Sequence, residues 1–330
     1  MNSGLHRLTV VAAVVAFIVI VLGAYVRLSH AGLGCPDWPG CYGQLAWPVE
    51  TIDVEQANRA FPERPVESGK AWKEMVHRYL AGSLVLLVLA INFLAWKSRP
   101  ARGNIRVLAF ALLALILFQA ALGMWTVTLK LLPVVVMGHL LGGLTTFALL
   151  LWIVWQTSSA SSEGGGNACT PFRAMILAGL GILAIQLALG GWTSANYSAL
   201  ACPDFPTCQG VMLPDTNFSD GFILWREVGV DYEGGVLDLP SRTAIHMAHR
   251  IGAVFTLVVL GILALRLVRV PQCRQVGTLL GALLLAQISL GILNILLFLP
   301  LPIAVAHNAV GALLLATVLW LVQRSRLRQD

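Results

Sequence analysis

Residues 74–96, EMVHRYLAGSLVLLVLAINFLAW, decide how the chain is read. A carboxylate, a histidine and an arginine open the stretch, and the apolar run behind them matches a hydrocarbon core about 30 Å thick. Seven more such stretches occur, at roughly 8–28, 106–129, 133–155, 173–193, 243–265, 275–298 and 302–322. The 330 residues are 57% hydrophobic and 12% charged, against about 25% charged in soluble proteins. That balance excludes a cytosolic globule, a disordered tail and a disulfide-rich secreted domain. The chain reads as an all-α polytopic membrane protein with eight transmembrane helices.

The first apolar run, Leu8 to Val26, follows His6 and Arg7 as a signal peptide would. It is longer than a typical h-region and no A-x-A site follows, so it is read as a retained helix. Two connections are long, about 29–73 and 194–242, and rich in Pro, Gly, Asp and Trp. Twelve cations (Arg7, Lys97, Arg99, Arg102, Arg106, Arg173, Arg266, Arg269, Arg274, Arg324, Arg326 and Arg328) fall on one side with two acids, Glu163 and Asp330. The other side has ten cations against fourteen acids. Cationic loops stay in the cytoplasm, so both termini are expected inside and both long loops outside. The ten Trp are read mainly as interfacial anchors.

The chain also repeats itself. Cys35-Pro36-Asp37-Trp38-Pro39-Gly40-Cys41 aligns with Cys202-Pro203-Asp204-Phe205-Pro206-Thr207-Cys208 at an offset of 167. His77-Arg78 aligns with His249-Arg250 at 172, and Gln119 with Gln287 and His139 with His307 at 168. Near-constant offsets at several landmarks mark a duplication. Two tandem, pseudo-symmetric four-helix bundles are expected: 1–156, a cytoplasmic linker at 157–172 that includes the Ser/Gly-rich stretch, and 173–330.

Within this plan four histidines gain meaning. His77 and His139 sit near the outer ends of their helices, within roughly 10 Å of the surface at about 1.5 Å per residue, with His77 expected about one turn in. His249 and His307 repeat the arrangement. Two facing histidines in a four-helix unit are what bis-imidazole heme ligation requires. Interhelical hydrogen bonding is the plainer alternative; zinc is a rival that lacks a tetrahedral ligand set. Arg78 and Arg250, each following a histidine, either pair with heme propionates or snorkel to headgroups. Glu74 precedes His77 by three residues, on nearly the same helix face, while His246 holds that place before His249. A carboxylate in one half alone suggests divided labour, with one site reacting and the other carrying electrons; the alternative is a carboxylate favoured by the helix dipole.

Cys35 and Cys41, and Cys202 and Cys208, flank short outer turns where disulfides are permitted; each pair is read either as a structural clip or as a redox group. Cys169 and Cys273 fall on the reducing side and are expected as free thiols. The Gln-x-x-x-Gly stretches at Gln119, Gln186 and Gln287 are read as close-packing surfaces. No Walker, Rossmann or protease motif is present, and the basic loops require no nucleic acid.

With the Glu-x-x-His-Arg segment, the partner histidines, the duplicated eight-span plan and the outer Cys-Pro-Asp-Trp-Pro-Gly-Cys loop in hand, the chain resembles bacterial heme A synthases over essentially its whole length. That family oxidises the C8 methyl of heme O to the formyl of heme A, for cytochrome c oxidase, through an alcohol and a geminal diol. The resemblance implies that His77 and His139 frame the substrate heme O and that His249 and His307 ligate one heme b cofactor. It also implies that Glu74 is the important acid and that Cys35 and Cys41 form an outer-loop disulfide. Heme O synthase, a quinone or other membrane electron carrier, and a second copy of the chain are the partners it suggests. A di-heme electron carrier and a heme carrier or assembly factor are the competing functions.

Overall fold

A computed structural model describes residues 3–97, 104–158 and 169–325. Arg99, Arg102, Glu163, Arg326, Arg328 and Asp330, used above for orientation, lie outside the described residues, as does most of the expected linker. Hydrocarbon offers the backbone no hydrogen-bond partner, so the apolar runs close their own ladders as helices. The elements are α1 (Ser3–Leu28), α2 (Thr51–Ala60), α3 (Ser68–Lys97), α4 (Ile105–Thr128), α5 (Pro133–Thr157), α6 (Arg173–Ala195), α7 (Phe218–Gly221), α8 (Leu239–Val268), α9 (Arg274–Leu296) and α10 (Leu301–Arg324). Among the described residues, eight helices are long and apolar enough to cross a membrane.

Two helices start earlier than hydropathy suggests. α3 begins at Ser68, and α8 at Leu239, where the Asp238 carboxylate caps the first turn by accepting the Ser241 N–H at 2.9 Å. A capping acid and the following Pro240 are strong start signals, but polar first turns hide from a hydropathy window. His77 is therefore about two and a half turns into α3, not one. Glu74 likewise lies beyond the first turn, where the helix dipole has largely faded.

The chain divides into two compact units. The first comprises Met1–Ser161 with Leu224–Gly234, the second Ser162–Ile223 with Gly235–Asp330. In the first, α1 packs on α3 and α5, and α4 closes the ring against the same two helices. Ala12, Ala13 and Ala16 give α1 a close-approach face, while Val88, Ile91, Leu112, Leu150 and Ile153 fill the interior. Leu86, Phe93, Phe110 and Leu117 point outward, as a helix bathed in lipid requires. The 224–234 strap is held by ion pairs from Arg64 to Asp231 and to Glu233, the latter at 2.8 Å. Tyr232 is 3% exposed in an apolar cluster with Leu33, Leu122, Val127, Leu131 and Leu132, and its N–H donates to the Lys130 carbonyl at 3.0 Å.

In the second unit α6 packs on α8 and α10, and α9 closes the ring against α8 and α10. The short α7 lies on α8, fixed by the Trp192 indole N–H donating to the Gly221 carbonyl at 2.8 Å. Cys169 and Cys273, expected as free thiols, form a disulfide instead, with Cα atoms 6.4 Å apart. Cys169 adjoins the 3-10 turn Thr170–Phe172 and Cys273 ends the turn Pro271–Cys273. A sequence separation of 104 left no local signal that the two turns meet.

Candidate functional site

Each unit carries a small disulfide loop above its helices. Cys35–Cys41 and Cys202–Cys208 are both bonded, and each ring is closed further by a bridge, Cys41 to Gln44 and Cys208 to Val211. The chain turns back through Tyr42-Gly43 and Gln209-Gly210, all four residues at positive φ, a conformation that glycine takes at least cost. One aspartate organises each turn. Asp37 accepts the N–H groups of Tyr42 and Gly43 at 2.6 and 2.7 Å. Asp204 accepts those of Gln209 and Gly210 at 2.6 and 3.0 Å, together with the Thr207 hydroxyl. The Thr207 hydroxyl, followed by the Gly210 and Gln209 amides, holds the exposed Asp204 carboxyl below its ordinary pKa.

The loops are tied to the helices through the two positions that set the repeats apart. Glu74, 5% exposed, accepts the Cys35 N–H at Oε2 (2.9 Å) and Arg78 Nη2 at Oε1 (2.6 Å). Arg78 Nη1 in turn donates to the carbonyls of Asp37 at 2.9 Å, Pro39 at 3.3 Å and Gly40. In the second unit His246 meets the same two neighbours: Nδ1 lies 3.3 Å from the Cys202 N–H, and Nε2 lies 3.3 Å from Arg250 Nε. Arg250 also donates to the carbonyls of Cys202, Asp204 and Thr207 at 3.1, 2.7 and 2.8 Å. A carboxylate can accept both donors at once, whereas a neutral imidazole has one acceptor nitrogen. Sequence reasoning found the Glu74/His246 difference, but the tether to the cysteine backbone spans 39 residues and has no sequence signature.

Below each loop lie the histidines. The His77 and His139 rings face each other with centroids 6.5 Å apart and planes at 81°. This is an approach suited to one metal between two imidazole nitrogens. Their Nδ1 atoms are buried without a hydrogen-bond partner. His249 sits on α8, which corresponds in the repeat to α3, and His307 on α10, which corresponds to α5. Among the described residues no three His, Cys, Asp or Glu side chains gather as a metal site. Two-histidine ligation of a metal whose remaining ligands come from a macrocycle fits this donor set; a tetrahedral protein-only zinc site does not.

The sequence is similar to known proteins over almost all of this architecture. The profile of the COX15-CtaA family, described as cytochrome oxidase assembly protein, matches residues 6–319. Heme A synthase of Shewanella oneidensis is 46% identical over 93% of this chain and 92% of its own length. Heme A synthases of Caulobacter sp. strain K31 and Mesorhizobium japonicum are 29% and 26% identical, covering 95% and 92% of this chain and 94% and 86% of theirs.

Proposed function

The chain belongs to the COX15-CtaA family of cytochrome oxidase assembly proteins, and on that premise we propose that it is a multi-pass membrane oxidoreductase that converts heme O to heme A. The observation that carries this reading is the 46% identity to a heme A synthase across nearly both full lengths. The residue assignments follow from the two units. His77 and His139, in the unit that bears a buried carboxylate, take the substrate heme O. His249 and His307, in the unit that bears His246 instead, hold heme b. When bound there, that heme would supply one-electron redox chemistry.

The protein's own residues have distinct tasks. The paired imidazoles orient the substrate iron, and with it the macrocycle edge that carries the methyl. With water as the oxygen source, each C–H replaced by C–O releases protons along with the electrons passed to the carrier. Glu74, on nearly the same helix face as His77, is the group assigned to receive the protons. To take a proton at Oε1 it must loosen the contact with Arg78 Nη2; Oε2 can remain on the Cys35 N–H. This wiring links the acid to the Cys35–Cys41 loop. Arg78 and Arg250 serve first as braces for the loop carbonyls, and propionates are a second use for their remaining N–H groups. Heme O synthase is assigned the supply of substrate, and a quinone or other membrane carrier the removal of electrons.

The membrane is assigned as the bacterial cytoplasmic one, with both termini inside. Reporter fusions after residues 60 and 220 should be active only with a periplasmic reporter; a cytoplasmic signal at either would reverse the assignment. The function is tested by extracting pigments from purified protein. Heme b with a smaller amount of heme O or heme A is expected, whereas two equivalents of heme b would mark a di-heme electron carrier.

A further inference from the structure

The Gln-x-x-x-Gly stretches do more than pack helices. They recur as Gln119–Gly123 on α4, Gln186–Gly190 on α6 and Gln287–Gly291 on α9, while α1 carries Val19 and Gly23 at the position aligned with α6. Every one of the four glycines lies against a histidine. A Cβ at Gly23, Gly123, Gly190 or Gly291 would stand 3.0, 3.4, 3.1 or 3.2 Å from Cε1 of His77, His139, His249 or His307.

The glutamine one turn earlier completes the seat only in the second unit. Gln186 Nε2 lies 3.1 Å from both Nδ1 and the carbonyl oxygen of His249. The Gln287 carbonyl lies 3.1 Å from His307 Nδ1, and its side-chain nitrogen 3.3 Å from Nε2. In the first unit Val19 has nothing to offer His77. The Gln119 carbonyl approaches His139, yet His139 Nδ1 completes no hydrogen bond, and the Gln119 amide nitrogen is itself without a partner. The substitution extends to the facing helix. A Cβ at Gly252 would overlap Gln186 Oε1, and the residue aligned with Gly252 on α3 is Leu80.

We propose that Gln186 is a positioning residue for His249. It fixes the ring orientation so that the second unit grips its heme permanently, while Val19 and Leu80 leave His77 free to admit a substrate heme and release a product. This rests on the assignment of His249 to heme b. A metal-bound histidine generally anchors its other ring nitrogen, and loss of that partner typically costs 10–100-fold in affinity. An amide suits the task because donor and acceptor share one planar group. Gln186 presents Nε2 to Nδ1 and to the His249 carbonyl. Iron ligation through His249 Nε2 puts the proton on Nδ1, and a half-turn of the amide then brings the buried, unpartnered Oε1 round to accept it, in exchange for the contact with the carbonyl. Gln186 also borders an apolar recess of about 220 Å³ whose other lining side chains among the described residues, those of Ile182, Ile185 and Phe255 beside Gly252, are apolar.

The test uses full-length protein in detergent and follows transfer of heme b to excess apomyoglobin, together with its low-spin spectrum and reduction potential. Gln186→Leu should speed transfer about 10–100-fold and alter the spectrum. Gln186→Glu keeps an acceptor, so transfer should stay near the parental rate while the potential falls, because a carboxylate makes the imidazole a stronger donor. Parental transfer and spectrum in Gln186→Leu would overturn the proposal. An unmoved potential in Gln186→Glu would do the same, and that variant decides the matter if Gln186→Leu does not accumulate. His249→Ala run in parallel separates the two failures: retention of normal heme b there sinks the heme b assignment itself, rather than the role of Gln186.

Discussion

Glu74 and His246 hold the same place in two copies of one design, and each touches a half-cystine N–H and an arginine. The loop does not need a carboxylate there, since the second unit builds the same loop with an imidazole. What differs is capacity: a carboxylate can hold both donors, or let the arginine go and take a proton, whereas a neutral imidazole can accept only one donor. The histidine seats diverge in step, with Gln186 and Gly252 on one side and Val19 and Leu80 on the other. On the proposed assignment, one unit holds its heme and the other reacts and lets go.

The largest effects should come from the ligands. His249→Ala or His307→Ala should strip most of the heme b, because one imidazole is a poor substitute for two. His77→Ala should leave heme b in place and stop heme O oxidation. Pigment extraction and low-spin spectra of the purified variants measure both. If both second-unit variants keep normal heme b, the division of labour is assigned to the wrong halves.

Next comes the acid. Glu74→Gln retains an oxygen for the Cys35 N–H but loses the proton-accepting group, and removal of such a group typically costs 10²–10⁴-fold in rate. Glu74→His copies the second unit and should preserve the loop while being equally inactive. Both should accumulate heme O with heme b still bound. Near-parental heme A from either variant at matched protein levels would mean that Glu74 serves the loop alone.

The parts legible in the sequence were those that periodicity and repetition encode. Eight apolar runs and four histidines at matched spacings required no knowledge of contacts. Hydropathy missed the polar first turns of α3 and α8, and so placed His77 too near its helix start. The Gln-x-x-x-Gly stretches were visible but read as packing, because spacing reveals a shared face and not what the face touches. The Cys169–Cys273 bond and the strap at 224–234 join residues more than 100 positions apart through turns and loops, where no period exists to read.

The strap sets up a smaller effect. Arg64 is partly exposed and holds two acids, Asp231 and Glu233, and pairs of this kind contribute about 0.2–1 kcal/mol each. Its pKa is raised because the bond to Glu233 and the charge of Asp231 outweigh the opposing effect of burial. Arg64→Ala should therefore speed proteolytic nicking within 224–234 several-fold at unchanged heme b content. Unaltered nicking would show that Tyr232 alone secures the strap.

The smallest effect distinguishes the two disulfide loops. Thr207 gives Asp204 a hydroxyl donor, and the aligned residue in the first loop, Gly40, has no side chain to do so. The Asp204 pKa is depressed in the folded loop by Thr207, Gly210 and Gln209, so the unfolded loop binds a proton more readily than the folded one. The stabilisation is complete above the ordinary aspartate pKa of about 3.9 and is lost as the pH falls through the lower folded value. Reduction of Cys202–Cys208 by a phosphine, which works in acid, should accelerate across that window. Asp204→Asn removes the titrating group while keeping its shape, so its reduction should be faster than the parent's at neutral pH and flat towards acid. A flat profile in the parent, or an equal acid response in the variant, would show that the disulfide ring and its bridge to Val211 hold the loop without Asp204.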